Sequence, residues 1–404
     1  MTGGYASRRL EIAVRDRARF GAGIVAEISS VVVELGGGAA FVVTDAGVVG
    51  SGVAGRVADL LAAADLRVEL FDRVEPNPGT LSVARGSAAL RRFRGLAGET
   101  AVVVVALGGG SAMDSAKVMA LHAANDRDVM ALGYHDETLV PGVPVIAIPT
   151  TAGTGAETNT YGVITDETVG RKGYVGHESV LPRVAILDPE LTIGLPPGPT
   201  AATGVDALTH ALESMLSKNP NPFAEAIALG VIRTVAEFLP RAVADGTDLE
   251  ARSRMLLAAH YAGVGQQSGT GVGAVHAIGH SVGARGRLPH GTALATVMPE
   301  VFATYVDVRE RELALVAVAL GLADPRDPAD AAARVAIEGI EGFLRSVGQR
   351  RTLAEQGLGP ETHETIAQDS VEDAAIDNSP RLPSKAEILE ILASVAGDQA
   401  AAAD

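Results

Sequence analysis

Asp206, His210, His276, His280 and His290 are spaced so that they can converge on a divalent cation. Asp206 and His210 stand in GVDALTHALE; the other three histidines fall in VHAIGHSVGARGRLPHG. A four-residue spacing puts two side chains on one face of a helix, so Asp206 with His210, and His276 with His280, each form a pair pointing one way. The chain has no cysteine. That excludes disulfides, thiolate metal sites, iron–sulfur clusters and thiol nucleophiles together, and leaves carboxylate and imidazole as ligands. An aspartate with two or three imidazoles suits a borderline ion such as iron(II) or zinc, with a position open for substrate. Spacing alone does not choose among the three histidines of the second segment. His122, His135, His177, His260 and His363 lie outside these groups and read as ordinary core or helix-end imidazoles.

Two glycine clusters compete for the role of phosphate cradle, since both sit where a strand passes into a helix and backbone amides point outward. Gly50, Gly52 and Gly55 satisfy GxGxxG, with Glu69 and Asp72 about 20 residues on. Residues 45–49 separate them from the strand ending at Thr44, whereas the fingerprint needs a turn directly off the strand. Gly108, Gly109, Gly110 and Ser111 follow the apolar run AVVVVAL at once and open a helical segment carrying Asp114 and Lys117. Adjacent glycines let the backbone approach a pyrophosphate, and the exposed amides and helix dipole offset its charge. A third element, PTTAGTGAET at residues 149–158, offers the hydroxyls of Thr150, Thr151 and Thr154 to phosphate or ribose.

These groups need elements to hold them. Strand-like residues 40–44, 68–71 and 101–107 alternate with helix-like residues 53–64 and 81–96, the rhythm of a parallel α/β sheet. AVVVVAL and VPVIAI are uninterruptedly apolar, as expected of strands covered on both faces. Past Pro196, Pro197 and Pro199 the strand signals fade, and residues 223–239, 249–264 and 311–320 read as helices. A chain of 404 residues exceeds one hydrophobic core. The expected division is an α/β dinucleotide-binding domain over residues 1–195 and an all-helical metal-binding and substrate domain over residues 196–404. The terminal DQAAAAD reads as a frayed end.

Composition narrows the partners. A formal net charge of −16 without a basic tract disfavours nucleic acid. The first twenty residues carry Arg8, Arg9, Arg15, Arg17 and Arg19 and no apolar core for a signal peptide. Apolar runs are strand-sized, far short of the roughly 20 residues of a membrane span. No membrane association and a cytoplasmic location are expected.

GGGSAMDSAK, PTTAGTGAET and GVDALTHALE, followed by HAIGHSVGARGRLPHG, resemble the iron-containing (group III) alcohol dehydrogenase family. The similarity runs from RFGAG through VTD at residues 43–45 to DNSPR at residues 377–381. The resemblance implies a dehydroquinate synthase-like architecture: an α/β N-terminal dinucleotide-binding domain plus an all-α C-terminal domain, with the active site in the cleft between them. It implies a metal held by Asp206, His210, His276 and His290, with His280 a non-ligand near the nicotinamide and a candidate proton relay. It implies a cofactor site of Asp45, Gly109, Gly110, Ser111, Asp114, Thr150, Thr151, Thr154 and Lys172, and a homo-oligomer. Asp45 matches the family's ribose contact; a carboxylate there accepts from the 2′-hydroxyl and repels a 2′-phosphate, so NAD is expected over NADP. GSGVAG is then a helix-start turn.

The implied activity is hydride transfer between a short-chain alcohol, or its aldehyde, and NAD, with iron(II), or zinc in the same ligands, as Lewis acid. Where the family often has pocket-lining aromatics, this chain reads Gly283-Ala284-Arg285-Gly286-Arg287. Arg285 or Arg287 would clamp an anionic substrate end, such as a carboxylate or phosphonate; a solvated arginine pair is the commoner role. A reductase of an anionic aldehyde is therefore an alternative. Others are an enzyme that retains its nicotinamide and shuttles hydride between alcohol and aldehyde, and an NAD-binding regulator without turnover.

Overall fold

The computed structural model describes residue 14, residues 17–134 and residues 136–397. His135, most of the segment read for a leader, and DQAAAAD lie outside these residues. The chain forms two compact units. One gathers the described residues from Arg17 to Leu195 with Gly246–His260, and the other Val14 and Pro196–Asp245 with the described residues from Tyr261 onward. A single cut at residue 195 therefore misses one exchange: Gly246–His260, from the helical half of the sequence, belongs with the sheet. Arg252 explains it, since its buried guanidinium donates to the carbonyls of Gly246 and Leu195, each at 2.9 Å. Leu256 packs with Ala185 and Leu187.

The sheet unit runs β1 (Ala18–Phe20), α1 (Ile28–Glu34), β2 (Ala39–Asp45), α2 (Ala46–Gly50), α3 (Val53–Ala62), β3 (Arg67–Val74), α4 (Thr80–Ala97), β4 (Val102–Gly108), α5 (Gly110–His122), β5 (Val145–Pro149), β6 (Tyr161–Asp166), β7 (Arg171–Gly176) and β8 (Val184–Leu187). Six strands form one parallel sheet in the order β1-β8-β5-β4-β2-β3. Successive side chains of a strand point to opposite faces. Phe41, Val43, Val104 and Ala106 enter one core, and Ala40, Val42, Val103 and Val105 the other. Both faces are dry, so the strands read as continuous apolar runs. The antiparallel hairpin β6–β7, and the short β1 and β8, escaped the sequence reading. YGVITD and RKGYVG put glycine at buried positions and few apolar residues between charged ones, which blurs a two-residue period.

β2 has β3 on one side and β4 on the other. The chain thus reverses direction across the sheet between β2 and β4, and open α/β sheets bind ligands in the crevice at such carboxyl ends. Asp45 ends β2, and Gly108 ends β4. Gly52, with φ 83°, starts α3, so GSGVAG is a helix-start turn.

The helical unit contains α6 (Pro197–Leu216), α7 (Pro222–Ala244), the end of α8 (Leu249–Gln267), α9 (Ala274–Gly286), α10 (His290–Ala303), α11 (Glu310–Ala319), α12 (Ala329–Ser346), α13 (His363–Val371) and α14 (Lys385–Ser394). Pro197 and Pro222 sit in the first turn, where a missing N–H costs nothing. Helix α6 is buried along nearly all of residues 200–216, which makes it the centre of the unit. Helix α10 crosses it closely: a Cβ on Gly291 would lie 1.8 Å from the Ala202 carbonyl oxygen. Among the described residues no helix is long and apolar enough to cross a membrane.

Candidate functional site

Helix α6 presents Asp206 and His210 from one face, α9 supplies His276, and His290 is the first residue of α10. The close crossing at Gly291 brings that helix start to Asp206. Asp206 Oδ1 lies 3.8 Å from His210 Nδ1, 3.8 Å from His276 Nε2 and 3.6 Å from His290 Nε2. Those distances exceed a hydrogen bond, and the buried Asp206 Oδ1 and His276 Nε2 make none. Two ligand atoms each about 2.1 Å from one tetrahedral ion would lie about 3.4 Å apart. Asp206, His276 and His290 offer ligand atoms within 4.8 Å of one another. The His210 ring stacks on His276 with centroids 4.9 Å apart. Orphaned donors at ligand spacing, without a thiolate, fit a borderline divalent cation.

His280 lies one turn after His276 on α9, with ring centroids 5.9 Å apart. Its Nδ1 donates to Asp373 Oδ2 at 2.7 Å, while its ring stacks on His290 at 5.3 Å. Asp373 is itself fixed by the Ala375 amide at 2.8 Å. His280 Nδ1 is thus committed to a carboxylate on another segment.

Glu213 was missed by the sequence reading. Buried on α6, it accepts from the amides of Gly273 and Val275, each at 2.8 Å, and from His276 Nδ1 at 2.6 Å. With Nδ1–H committed to the carboxylate, Nε2 is the imidazole atom that faces Asp206. A signal existed: Glu213 closes GVDALTHALE three residues after His210, on the face that carries Asp206. Burial pushes the Asp206 carboxyl up, but His210, His290 and His276 outweigh it and hold the group well below the usual carboxylate range. Burial pushes His276 down, while Glu213 and Asp206 pull it up to about 9. A cation held at Nε2 would take the place of that proton. For Asp373, burial acts upward and the His280 hydrogen bond downward, with a lowered result.

In the sheet unit, Asp45, Gly109, Gly110, Ser111, Thr150, Thr151 and Thr154 gather at the switch point. Asp45 caps α2 through Oδ1, accepting from Gly47 at 2.8 Å and Val48 at 3.1 Å. Its Oδ2 lies 3.3 Å from where a Gly108 Cβ would stand, and Gly108 has φ 146°, which favours glycine. A Cβ on Gly109 would meet Thr151 Cγ2 at 3.3 Å, and one on Gly110 would meet Thr154 Cγ2 at 2.7 Å. Gly109 leads into α5 without a side-chain cap, so the first amides, from Gly110 and Ser111 on, face outward as an anion site. Thr150 is tied to β4 by its amide, which donates to Gly108 O at 3.0 Å; the buried Thr151 Oγ1 has no hydrogen-bond partner.

Asp114 lies one turn into α5. Both Asp114 oxygens are engaged by the protein: Oδ2 accepts from the Val163 amide at 3.1 Å, and Oδ1 pairs with Lys117 Nζ at 3.2 Å. Lys172 stands on β7, opposite Thr165 of β6. Arg285 pairs with Asp369 at 2.6 Å, and Arg287 is an exposed residue with φ 51° at the end of α9. His122, His177 and His260 each bond a neighbouring carbonyl, amide or carboxylate, as core and cap histidines do.

A parallel sheet with a glycine turn at its switch point, and an all-helical unit with an Asp–His cluster, define the α/β-plus-all-α class. The family description "Iron-containing alcohol dehydrogenase" matches residues 16–189, and "Fe-containing alcohol dehydrogenase family, C-terminal" matches residues 200–396. The NAD-dependent methanol dehydrogenase of Bacillus methanolicus is 36% identical over 372 residues, covering 92% of this chain and 96% of that protein. A 1,3-propanediol oxidoreductase crystal structure superimposes with a TM-score of 0.90 at 32% identity, covering 96% of this chain and 100% of that one. Sulfoacetaldehyde reductase from Bifidobacterium kashiwanohense, solved with NAD+, gives a TM-score of 0.84 at 28% identity, covering 97% of this chain and 100% of that one. The chain belongs to the iron-containing alcohol dehydrogenase family and is an oxidoreductase of the alcohol dehydrogenase type.

Proposed function

We propose that the protein transfers a hydride between a short-chain alcohol, or its aldehyde, and NAD, and that it needs a divalent metal, iron(II) or zinc, held by Asp206, His210, His276 and His290. The observation that carries this is the set of imidazole nitrogens 3.6–3.8 Å from a buried Asp206 oxygen that makes no hydrogen bond. When bound, the metal supplies Lewis acidity toward the substrate oxygen and NAD exchanges the hydride. The chain supplies the rest. Glu213 keeps His276 in the tautomer that leaves Nε2 available. Asp373 holds His280 through Nδ1, and His280 is the residue that passes the substrate proton onward. The amides at Gly110 and Ser111, with Thr151 and Thr154 above them, receive the pyrophosphate. Asp45 Oδ2, at the mouth of the switch point, receives the ribose hydroxyls and disfavours a 2′-phosphate.

The test is anaerobic reconstitution of metal-stripped protein with iron(II) or zinc, followed by NADH formation from a panel of neutral and anionic alcohols, with NADP in parallel. Metal-dependent NADH formation that disappears in His276→Ala is expected, with NADP the poorer acceptor. Turnover without metal, or bound NAD without turnover, overturns the reading. A second reading, reduction of an anionic aldehyde, is supported by the relative named sulfoacetaldehyde reductase. With Arg285 paired to Asp369, that reading rests on Arg287, and the anionic members of the panel decide it.

A further inference from the structure

Lys117 is a lysine with essentially no exposure, an environment this residue type rarely tolerates without full compensation. The compensation is complete. An ammonium has three donors, and here they meet the carbonyl oxygen of Ala156 at 2.8 Å, Asn159 Oδ1 at 2.5 Å and Asp114 Oδ1 at 3.2 Å. Asp114 lies on the same helix, α5. Ala156 and Asn159 lie on the loop that also carries Thr151 and Thr154. Asp114 reaches past Lys117 to take the Val163 amide of β6, and Asn159 Oδ1 also accepts from the Tyr161 amide at 3.2 Å. Glu157, between the two loop contacts, is pinned by His260 Nδ1 at 3.1 Å, again in the interior.

The charge therefore joins two segments from behind. Helix α5 begins at the glycine turn. The loop lays Thr151 over Gly109 and Thr154 over Gly110, with the contact atoms at 3.3 Å and 2.7 Å from where glycine Cβ atoms would stand. Nothing else along α5 supplies a cation to the loop carbonyl at Ala156 and the Asn159 amide oxygen together. We infer that Lys117, braced by Asp114, is a positioning residue for the nucleotide: it sets the separation between the amides at the start of α5 and the threonine loop, and neither side chain touches the cofactor. This rests on the placement of NAD proposed above. It also gives Asp114 a role different from the cofactor contact implied by the family resemblance.

The experiment is NADH titration, followed by fluorescence, of the wild-type protein, Lys117→Met, Thr151→Ala and the double variant, with metal content measured in parallel. Each single substitution is expected to weaken NADH binding by about fivefold or more, within the usual range of a coupling between sites. The double variant is expected to bind no more weakly than the weaker single one, since a loop released by Lys117→Met no longer holds Thr151 in place. Metal content stays at the wild-type value, which general destabilisation would not leave intact. Multiplied losses in the double variant, or Lys117→Met binding within about twofold of wild type while Thr151→Ala is weakened, overturn the clamp alone. Thr151→Ala binding as wild type overturns the nucleotide placement and the inference with it. Should Lys117→Met fail to fold, Asn159→Ala, which removes one acceptor on the loop side, replaces it under the same criteria.

Discussion

At the scale of the residue, Glu213 shows how much of a metal site lies outside its ligands. It receives three hydrogen bonds, from Gly273, Val275 and His276, and so fixes both a helix start and an imidazole. Outer partners of this kind are typically worth about 10–100-fold in metal affinity. Glu213→Gln places an N–H donor against at least one of those three donors, so metal affinity should fall by about that factor, as read by chelator competition on folded protein. Unchanged affinity would mean that Glu213 only anchors the helix. Residue chemistry was partly legible beforehand. Asp206 and His210 share a face because of local spacing, and local spacing is visible in sequence. The hold of Asp373 on His280 was not, because the two stand 93 positions apart. The inward turn of Asp114 was hidden for the same reason: its partner on β6 is 49 positions away.

At the scale of the element, the crossing of α6 and α10 decides whether Asp206 and His290 meet. The space between Gly291 and the Ala202 carbonyl admits no side chain. Gly291→Ala must push the two helices apart or shift the start of α10, the turn that bears His290. Overpacking in a close-packed interior typically costs about 1–3 kcal/mol. The expected outcome is a lower thermal midpoint together with reduced metal content; full metal occupancy at wild-type stability would show that α10 moves without disturbing His290. The long elements here were readable from pattern. Residues 223–239 fall inside α7, and residues 81–96 inside α4. Their length gives the period room to register. The hairpin β6–β7 has six residues per strand, with glycine at two of its four buried positions, too short and too poor in apolar side chains to stand out.

At the scale of the whole molecule, the order of motifs foretold the architecture: apolar runs without alternation mark a covered parallel sheet, and their disappearance past the prolines marks the helical unit. What sequence order could not convey is the return of Gly246–His260 to the sheet unit, since it is set by Arg252 reaching the Leu195 carbonyl, 57 positions back. Metal removal has its clearest consequence at this scale. An ion that binds only the folded chain stabilises it by about 2.7 kcal/mol at a hundredfold excess over its dissociation constant. Chelation should therefore lower the thermal midpoint, and iron(II) or zinc should restore it in wild type but not in His276→Ala. An identical midpoint with and without metal would argue against the site.

The grip of Glu213 on the start of α9 has one more consequence. The helix that bears Asp206 and His210 is already fastened to the one that bears His276, by hydrogen bonds that involve no ion. Cation uptake is then a capture by a finished receptacle instead of a folding event. Exchange of one metal for another would then proceed without the chain coming apart.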